Sequence, residues 1–203
     1  MSKSSFDIRF QEKNTAAKIV AGLERIAEAF RVLIWERAKK LGLSPIQIQL
    51  LIFIAHHEQK LCNVSHLAQE FNLTKPTISD AIRVLAKKGL IKKEASAVDK
   101  RAYFILLSEE GKKIVGQTEG FAHSIYEGVE MMEETVQESL FGQISELIQK
   151  LNQQGILSVQ RNCQSCRFYS KKAEGHYCQL LSLDLADTDL RIDCAEHELF
   201  KAE

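Results

Sequence analysis

The chain has 203 residues, 45% of them hydrophobic and 27% charged, and its 27 basic and 27 acidic side chains give a formal net charge of zero. That is enough apolar material to bury a core and one small appendage, and it excludes a disordered chain. Residues 1–10 hold no apolar stretch like that of a signal peptide, and the longest wholly apolar run, residues 50–55, is far below the roughly 18 residues of a membrane span, so the sequence reads as cytoplasmic with no membrane partner.

Residues 15–41 repeat Ile19, Leu23, Ile26, Phe30 and Leu33 at spacings of three and four, with Val20, Ala27 and Ile34 widening the stripe and Gly42 closing it. This predicts a long helix whose stripe packs either within its own subunit or against a second copy. Ser44 and Pro45 mark another helix start, and Ile46, Ile48, Leu50, Leu51, Phe53 and Ile54 are too densely apolar for a surface helix, so this one belongs to the core. His56 and His57 at its end have no partner at metal-binding spacing and read as structural or surface residues. Cys62 stands apart from the other cysteines and reads as a small buried apolar residue. Asn63 is placed to cap a short helix through His66, Leu67, Ala68 and Phe71, after which Asn72 and Leu73 turn the chain.

Thr74, Lys75, Pro76 and Thr77 open the next helix, which runs through Ile78, Ile82 and Leu85 to Gly89. Thr74 suits the cap, Pro76 is harmless in a first turn, and Gly89 suits the stop. With Ile78, Ile82 and Leu85 on one face, Lys75, Thr77, Asp80, Arg83 and Lys87 are turned outward; together with Thr74 and Ser79 they are the candidate DNA-contacting residues of a helix-turn-helix. Residues 90–94 and 102–107 are β-prone and flank a polar tip containing the adjacent cations Lys100 and Arg101. Such a hairpin suits contact with phosphate or a minor groove. Net charge is +4, +4, −6 and −2 over residues 1–60, 61–107, 108–160 and 161–203, which places the cationic character on the half that holds this hairpin.

Ser108 is a cap for a helix expected to run through Gly111, Ile114, Val115, Phe121, Ile125 and Val129. A further helix is expected to start near Thr135, with Glu138 at capping-box spacing, and carries Val136, Leu140, Ile144, Leu147, Ile148 and Leu151. Both are acidic and amphipathic, suited to pairing with the N-terminal helix rather than to touching DNA.

This order of elements resembles the MarR family of winged-helix transcription regulators over roughly residues 15–152. The stretch LAQEFNLTKPTISDAIRVLAKKGLI resembles the family's helix-turn-helix, and DKRAYFILLSEEG its wing, with Asp99 and Arg101 at the family's Asp-x-Arg and Ser108–Gly111 at its closing Thr-x-x-Gly. The resemblance implies that Arg101 reaches a minor groove, that Asp99 steadies the wing and that the recognition helix reads the major groove. It also implies a homodimer on a pseudo-palindromic double-stranded operator, with half-sites roughly 10 bp apart. Asp80 departs from the family, which often has Arg there; an Asp accepts from cytosine N4, so an altered operator preference is expected. A small apolar effector bound between dimer helices and winged helix is a further family-based expectation.

Members of the family ordinarily end before Cys163, Cys166, Cys178 and Cys194. A Cys-x-x-Cys knuckle with two later cysteines offers four thiolates to a thiophilic metal. Zn2+ is the first expectation, with an iron–sulfur cluster, a thiol switch or a metal-free tail as alternatives, since the spacing fits neither a zinc ribbon nor the common ferredoxin patterns. His176 and His197 lie near Cys178 and Cys194 and read as supporting or exposed residues rather than ligands. The expected architecture is thus mostly α with a small β-wing. Residues 1–155 form a winged helix-turn-helix with long N- and C-terminal dimerisation helices, and residues 156–203 a small Cys-rich module that stabilises or senses metal or redox state. No phosphate-cradling glycine loop, His-Glu-x-x-His or nucleophile constellation is present, so the expected function is a non-catalytic DNA-binding regulator acting as a repressor. The alternatives are a winged-helix protein-interaction module and an iron–sulfur electron-transfer protein.

Overall fold

The computed structural model describes residues 4–95, 103–159, 161–173 and 175–199. A short helix α1 (Ile8–Glu12) precedes the long α2 (Thr15–Leu41), which Asn14 caps through Ala17 N–H and Gly42 ends with a positive φ of 61°. The core helix α3 (Pro45–His56) opens on a capping box: Ser44 Oγ accepts from Gln47 N–H, and Gln47 Oε1 accepts from Ser44 N–H. The helix-turn-helix follows as α4 (Val64–Glu70), capped by Asn63, and α5 (Lys75–Lys87), capped by Thr74 with Pro76 in its first turn. Strands β1 (Ile91–Ala95) and β2 (Tyr103–Leu107) pair antiparallel, with Ile91 opposite Leu107 and Ala95 opposite Tyr103. The tip between them, with Asp99, Lys100, Arg101 and Ala102, lies outside the described residues.

The core gathers where these elements meet. Ile48, Leu50 and Leu51 of α3, Leu67 of α4, Ile78, Ile82 and Leu85 of α5 and Ile105 of β2 are sealed from solvent, and Cys62 sits among them as the small buried residue expected. The packing that seats α5 is therefore the apolar stripe read from its sequence, and burying each such side chain contributes roughly 1.5–3 kcal/mol before chain entropy is counted.

After the wing comes α6 (Glu109–Thr118), whose cap Ser108 both accepts from Gly111 N–H (3.0 Å) and donates to Gly89 C=O (2.6 Å). That closure presses Gly111 against the backbone: a Cβ there would lie 2.0 Å from the Leu90 carbonyl oxygen, so only glycine fits. The helix does not continue to Val129 as the periodicity suggested. It gives way to one tight turn (Glu119–Ala122) and a separate α7 (His123–Glu130), with Gly120 off helical geometry. Thr118 is the local cause, since its hydroxyl bonds back to Ile114 C=O and loosens the ladder where Phe121 turns to meet Phe30 of α2. Helix α8 (Glu134–Gln153) likewise starts one residue before Thr135 and has no side-chain cap; Gln137 reaches back to Met132 C=O instead, and the capping box expected at Thr135 is not formed.

Beyond α8 the chain forms a small antiparallel sheet in the order β3 (Tyr169–Lys171), β4 (His176–Cys178), β5 (Leu183–Leu185). Among the described residues no single helix is long and apolar enough to cross a membrane, and the one bent pair of sufficient length, α2 with α3, turns through 93° and keeps α3 in the core.

Candidate functional site

Helix α5 is anchored by Ile78, Ala81, Ile82 and Leu85 and turns Lys75, Thr77, Asp80, Arg83 and Lys87 to solvent, with Thr74 exposed at its cap and Ser79 half-buried at the rim. Two features order this face. The Thr74 and Thr77 hydroxyls bond to each other (2.8 Å), and Arg83 donates to Asp80 Oδ1 at 2.6 Å. The second pairing was not foreseen: Asp80 does not merely add negative charge to the face but holds the guanidinium of Arg83 one turn along. On the neighbouring hairpin Lys92 and Lys93 are exposed, and Lys93 lies over the Tyr103 ring (4.4 Å). The wing residues Lys100 and Arg101, and Asp99, lie outside the described residues, so this surface is built from α5 and the base of the wing.

The four tail cysteines come together. Cys163 and Cys166 bracket a single tight turn that Asn162 caps, Cys178 lies on β4 opposite Tyr169, and Cys194 is drawn in by its N–H bond to Arg161 C=O (2.9 Å). All four line one cavity of about 260 Å³, walled otherwise by Phe168, Tyr169, a group of leucines and the charged Asp189, Arg191 and Glu196. Among the described residues no three His, Cys, Asp or Glu side chains close on a point where a single ion would sit. Arg191 faces the sulfurs: its N–H meets Cys163 Sγ at 3.2 Å and its guanidinium Cys194 Sγ at 3.5 Å. Burial pushes the Cys163 thiol up, opposed by the Arg191 N–H. Cys62 is remote from this cavity, and burial alone raises its thiol to about 11, which makes it inert. His176 is turned away from the sulfurs by Tyr169 Oη (2.6 Å) and Asp187 (2.8 Å), and His197 by Ser165 Oγ (3.0 Å), so both support the module's loops.

Residues that sequence reasoning missed join the tail to the helix-turn-helix. Arg161, with only 10% of its side chain exposed, donates to Asp193 (2.6 and 2.9 Å) and to Glu70 of α4 (2.7 and 3.3 Å), with His57 Nε2 3.3 Å away and the Phe53 ring beneath it. His57, stacked on Phe53 at 3.7 Å, bonds to Phe53 C=O and to Asp193 Oδ2, both at 2.8 Å. Hydrogen bonds first from Arg161 and then from His57 hold the Asp193 carboxyl down at about 2. These residues are scattered from position 57 to 193, and no local motif links them. The one available hint was that Arg161 and Asp193 closely precede the first and last cysteines of the cluster.

The model of the MarR family matches residues 41–102, which span α3 to the wing. Among curated proteins no relative matches. Among solved structures, S. aureus MepR in its DNA-binding conformation aligns with a TM-score of 0.59 at 20% identity, over 66% of this chain and 98% of that one. A complex of S. aureus MepR with DNA aligns at 0.57, 22%, 65% and 97%, and the transcriptional regulator PA3341 at 0.55, 25%, 68% and 98%. These similarities establish a winged helix-turn-helix fold, and they leave about a third of this chain outside the match.

Proposed function

We propose that the chain is a non-enzymatic, sequence-specific DNA-binding transcriptional regulator that acts as a homodimer and represses by occupying a pseudo-palindromic operator. One observation carries the reading: α5 is locked into the core by its apolar stripe while presenting an ordered, polar and partly cationic face beside a β-hairpin. The likeness to a fold that S. aureus MepR presents to DNA supports it. In this reading Thr74, Lys75, Thr77, Ser79, Asp80, Arg83 and Lys87 approach the major groove, and Lys100 and Arg101, steadied by Asp99, approach the backbone and minor groove.

Dimerisation is supported by surface area. A compact chain of 23.0 kDa exposes about 9,600 Å², whereas this one exposes 14125 Å². Ile19, Leu23, Ile26 and Phe30 of α2 and Val136, Ile144 and Leu147 of α8 all stand in solvent. A second copy of the chain laid along α2 and α8 covers those stripes, and the excess of about 4,500 Å² per chain is more than the roughly 1,000–2,500 Å² that each partner of an obligate dimer buries, so an interface of that class fits within it. A small-molecule effector belongs to the same reading, as CouR from Rhodococcus jostii RHA1, aligned at a TM-score of 0.55 with 16% identity, has been crystallised with p-coumaroyl-CoA. The four tail cysteines bind a thiophilic metal centre that stabilises the module or senses metal and redox state.

Selection of bound duplexes from a random library, followed by titration across salt, tests the proposal. Expected is a two-fold related site, an affinity that falls steeply with salt, and a weaker affinity with a shallower salt slope for Arg101→Ala. Binding to protein partners with no salt-dependent DNA affinity would refute it.

A further inference from the structure

Between residues 161 and 199 the buried residues are Asn162 and His176, both polar; among the described residues of this module no apolar side chain is sealed from solvent. Leu180, Leu181 and Leu183 remain about half exposed although they line the cavity shared by the four cysteines. A module of this size with three short strands and no apolar interior lacks the burial that normally orders a fold, so its order must come from what fills the cavity. The cysteines converge on that space from three separate segments of chain.

The cavity's size then discriminates between fillings. A tetrahedral zinc site binds each sulfur at about 2.3 Å and so draws its four ligands into contact around one point. Here the four thiols line, together with aromatic, leucine and charged side chains, one partly open cavity of about 260 Å³, and among the described residues no three donors meet at such a point. A core of several metal and sulfide atoms holds four thiolates further apart and occupies the space between them. Arg191 supplies two further features of such a site: a backbone N–H and a guanidinium directed at cysteine sulfurs, and a positive charge beside a group of thiolates. Hydrogen bonds to the sulfurs are among the main determinants of a cluster's potential.

We propose that Cys163, Cys166, Cys178 and Cys194 ligate an iron–sulfur cluster, with Arg191 as its hydrogen-bonding partner. The inference deepens the metal-centre part of the function proposed above, replacing the zinc that cysteine spacing alone favoured, and it does not depend on the DNA-binding part.

The test uses the full chain purified without oxygen. Expected are iron and acid-labile sulfide in similar amounts, with broad visible absorbance that Cys178→Ser abolishes while far-UV circular dichroism of the winged helix is kept. Arg191→Gln retains the colour and moves the reduction potential downward, because one N–H···S bond to Cys194 is lost. Colourless protein with one zinc per chain overturns the proposal, as does metal-free protein that stays colourless when given ferrous iron and sulfide under reductant. An unmoved potential in Arg191→Gln overturns the role of Arg191. Operator binding is measured on the same samples: zinc-loaded protein that binds DNA defeats the cluster alone, and protein that binds no DNA in either the cluster-loaded or the cluster-free form defeats the regulator alone.

Discussion

Replacing Arg161 with alanine removes the cation that joins the cysteine module to the helix-turn-helix. Arg161 is nearly buried, Glu70 keeps 20% of its side-chain surface and Asp193 45%. Breaking a buried ion pair from one side costs about 3–5 kcal/mol, because the remaining charges lose their partner without regaining full hydration. Asp193 faces water enough to recover part of that, so the expected loss is about 2–3 kcal/mol, including a contribution from the cation above Phe53. Hydrogen exchange reads where the loss falls. The Cys194 and Cys163 amides, bonded to Arg161 C=O and Arg191 C=O, should exchange faster, while amides of α5 keep their protection. A double-mutant cycle with Glu70→Gln should return a coupling of at least about 1 kcal/mol. If Arg161→Ala leaves module exchange and the unfolding midpoint unchanged, the joint is an exposed ion pair with no energetic role, and the reasoning fails.

Asp193 makes the same joint sensitive to acid. Its carboxyl sits at about 2 when folded, below the roughly 3.9 of an unfolded aspartate; its stabilisation is therefore complete above about pH 4 and is lost as pH falls toward 2. Urea unfolding of the wild type and Arg161→Ala at pH 5 and pH 2.5 should show the difference between them shrinking at the lower pH. Gly111→Ala forces a Cβ to within 2.0 Å of the Leu90 carbonyl oxygen, so it should cost about 3 kcal/mol and lower the thermal midpoint by several degrees. Asp80→Ala frees Arg83 from its 2.6 Å pairing on an exposed face; stability should hold while the ranking of operator variants in a binding assay changes, and an unchanged ranking would remove Asp80 from the specificity argument.

Local chemistry explains which parts of the fold were legible in the sequence. Caps at Ser44, Asn63, Thr74 and Ser108 are side chains bonding to backbone three residues on, and every one forms as its sequence implies. The stripe of α5 and the all-round apolarity of α3 encode burial directly, and the two β-prone runs pair as a hairpin, although their register was not read from the sequence. The break after Thr118 was not legible, because the apolar spacing through Phe121 and Ile125 is nearly continuous, and a single hydroxyl bonding backward decides the outcome with Gly120. The helix start near Thr135 was legible to within one residue, but its capping box does not form: the turn at Met131–Met132, closed by Gln137 on Met132 C=O, sets the start instead. On α5 the outward-turned residues were legible but their pairing was not, since i,i+3 spacing permits the Asp80–Arg83 contact without requiring it. The cysteine cluster was visible as spacing, whereas its cavity and its tether through Arg161, Glu70, His57 and Asp193 depend on contacts up to 136 residues apart.

The placement of that tether bounds what the module does for DNA binding. Its ends are α4, which packs on α5, and the segment preceding Cys194, while another turn of the module, Asp187–Asp189, rests against α8. Loss or gain of order among the cysteines is thus felt on one side by the helix-turn-helix and on the other by α8, whose apolar stripe is exposed. The size of the effect is limited by the energy of the joint. About 2–3 kcal/mol corresponds to a change in an equilibrium of roughly 30- to 150-fold, whereas carrying a two-state protein from almost fully one form to almost fully the other takes about 5.5 kcal/mol. In the function proposed above, one joint per chain would therefore grade operator affinity. In the symmetric dimer proposed above two such joints would act on one DNA site, and their combined energy of about 4–6 kcal/mol would reach the switching range, so the cysteine module would be a full switch only if both copies changed state together.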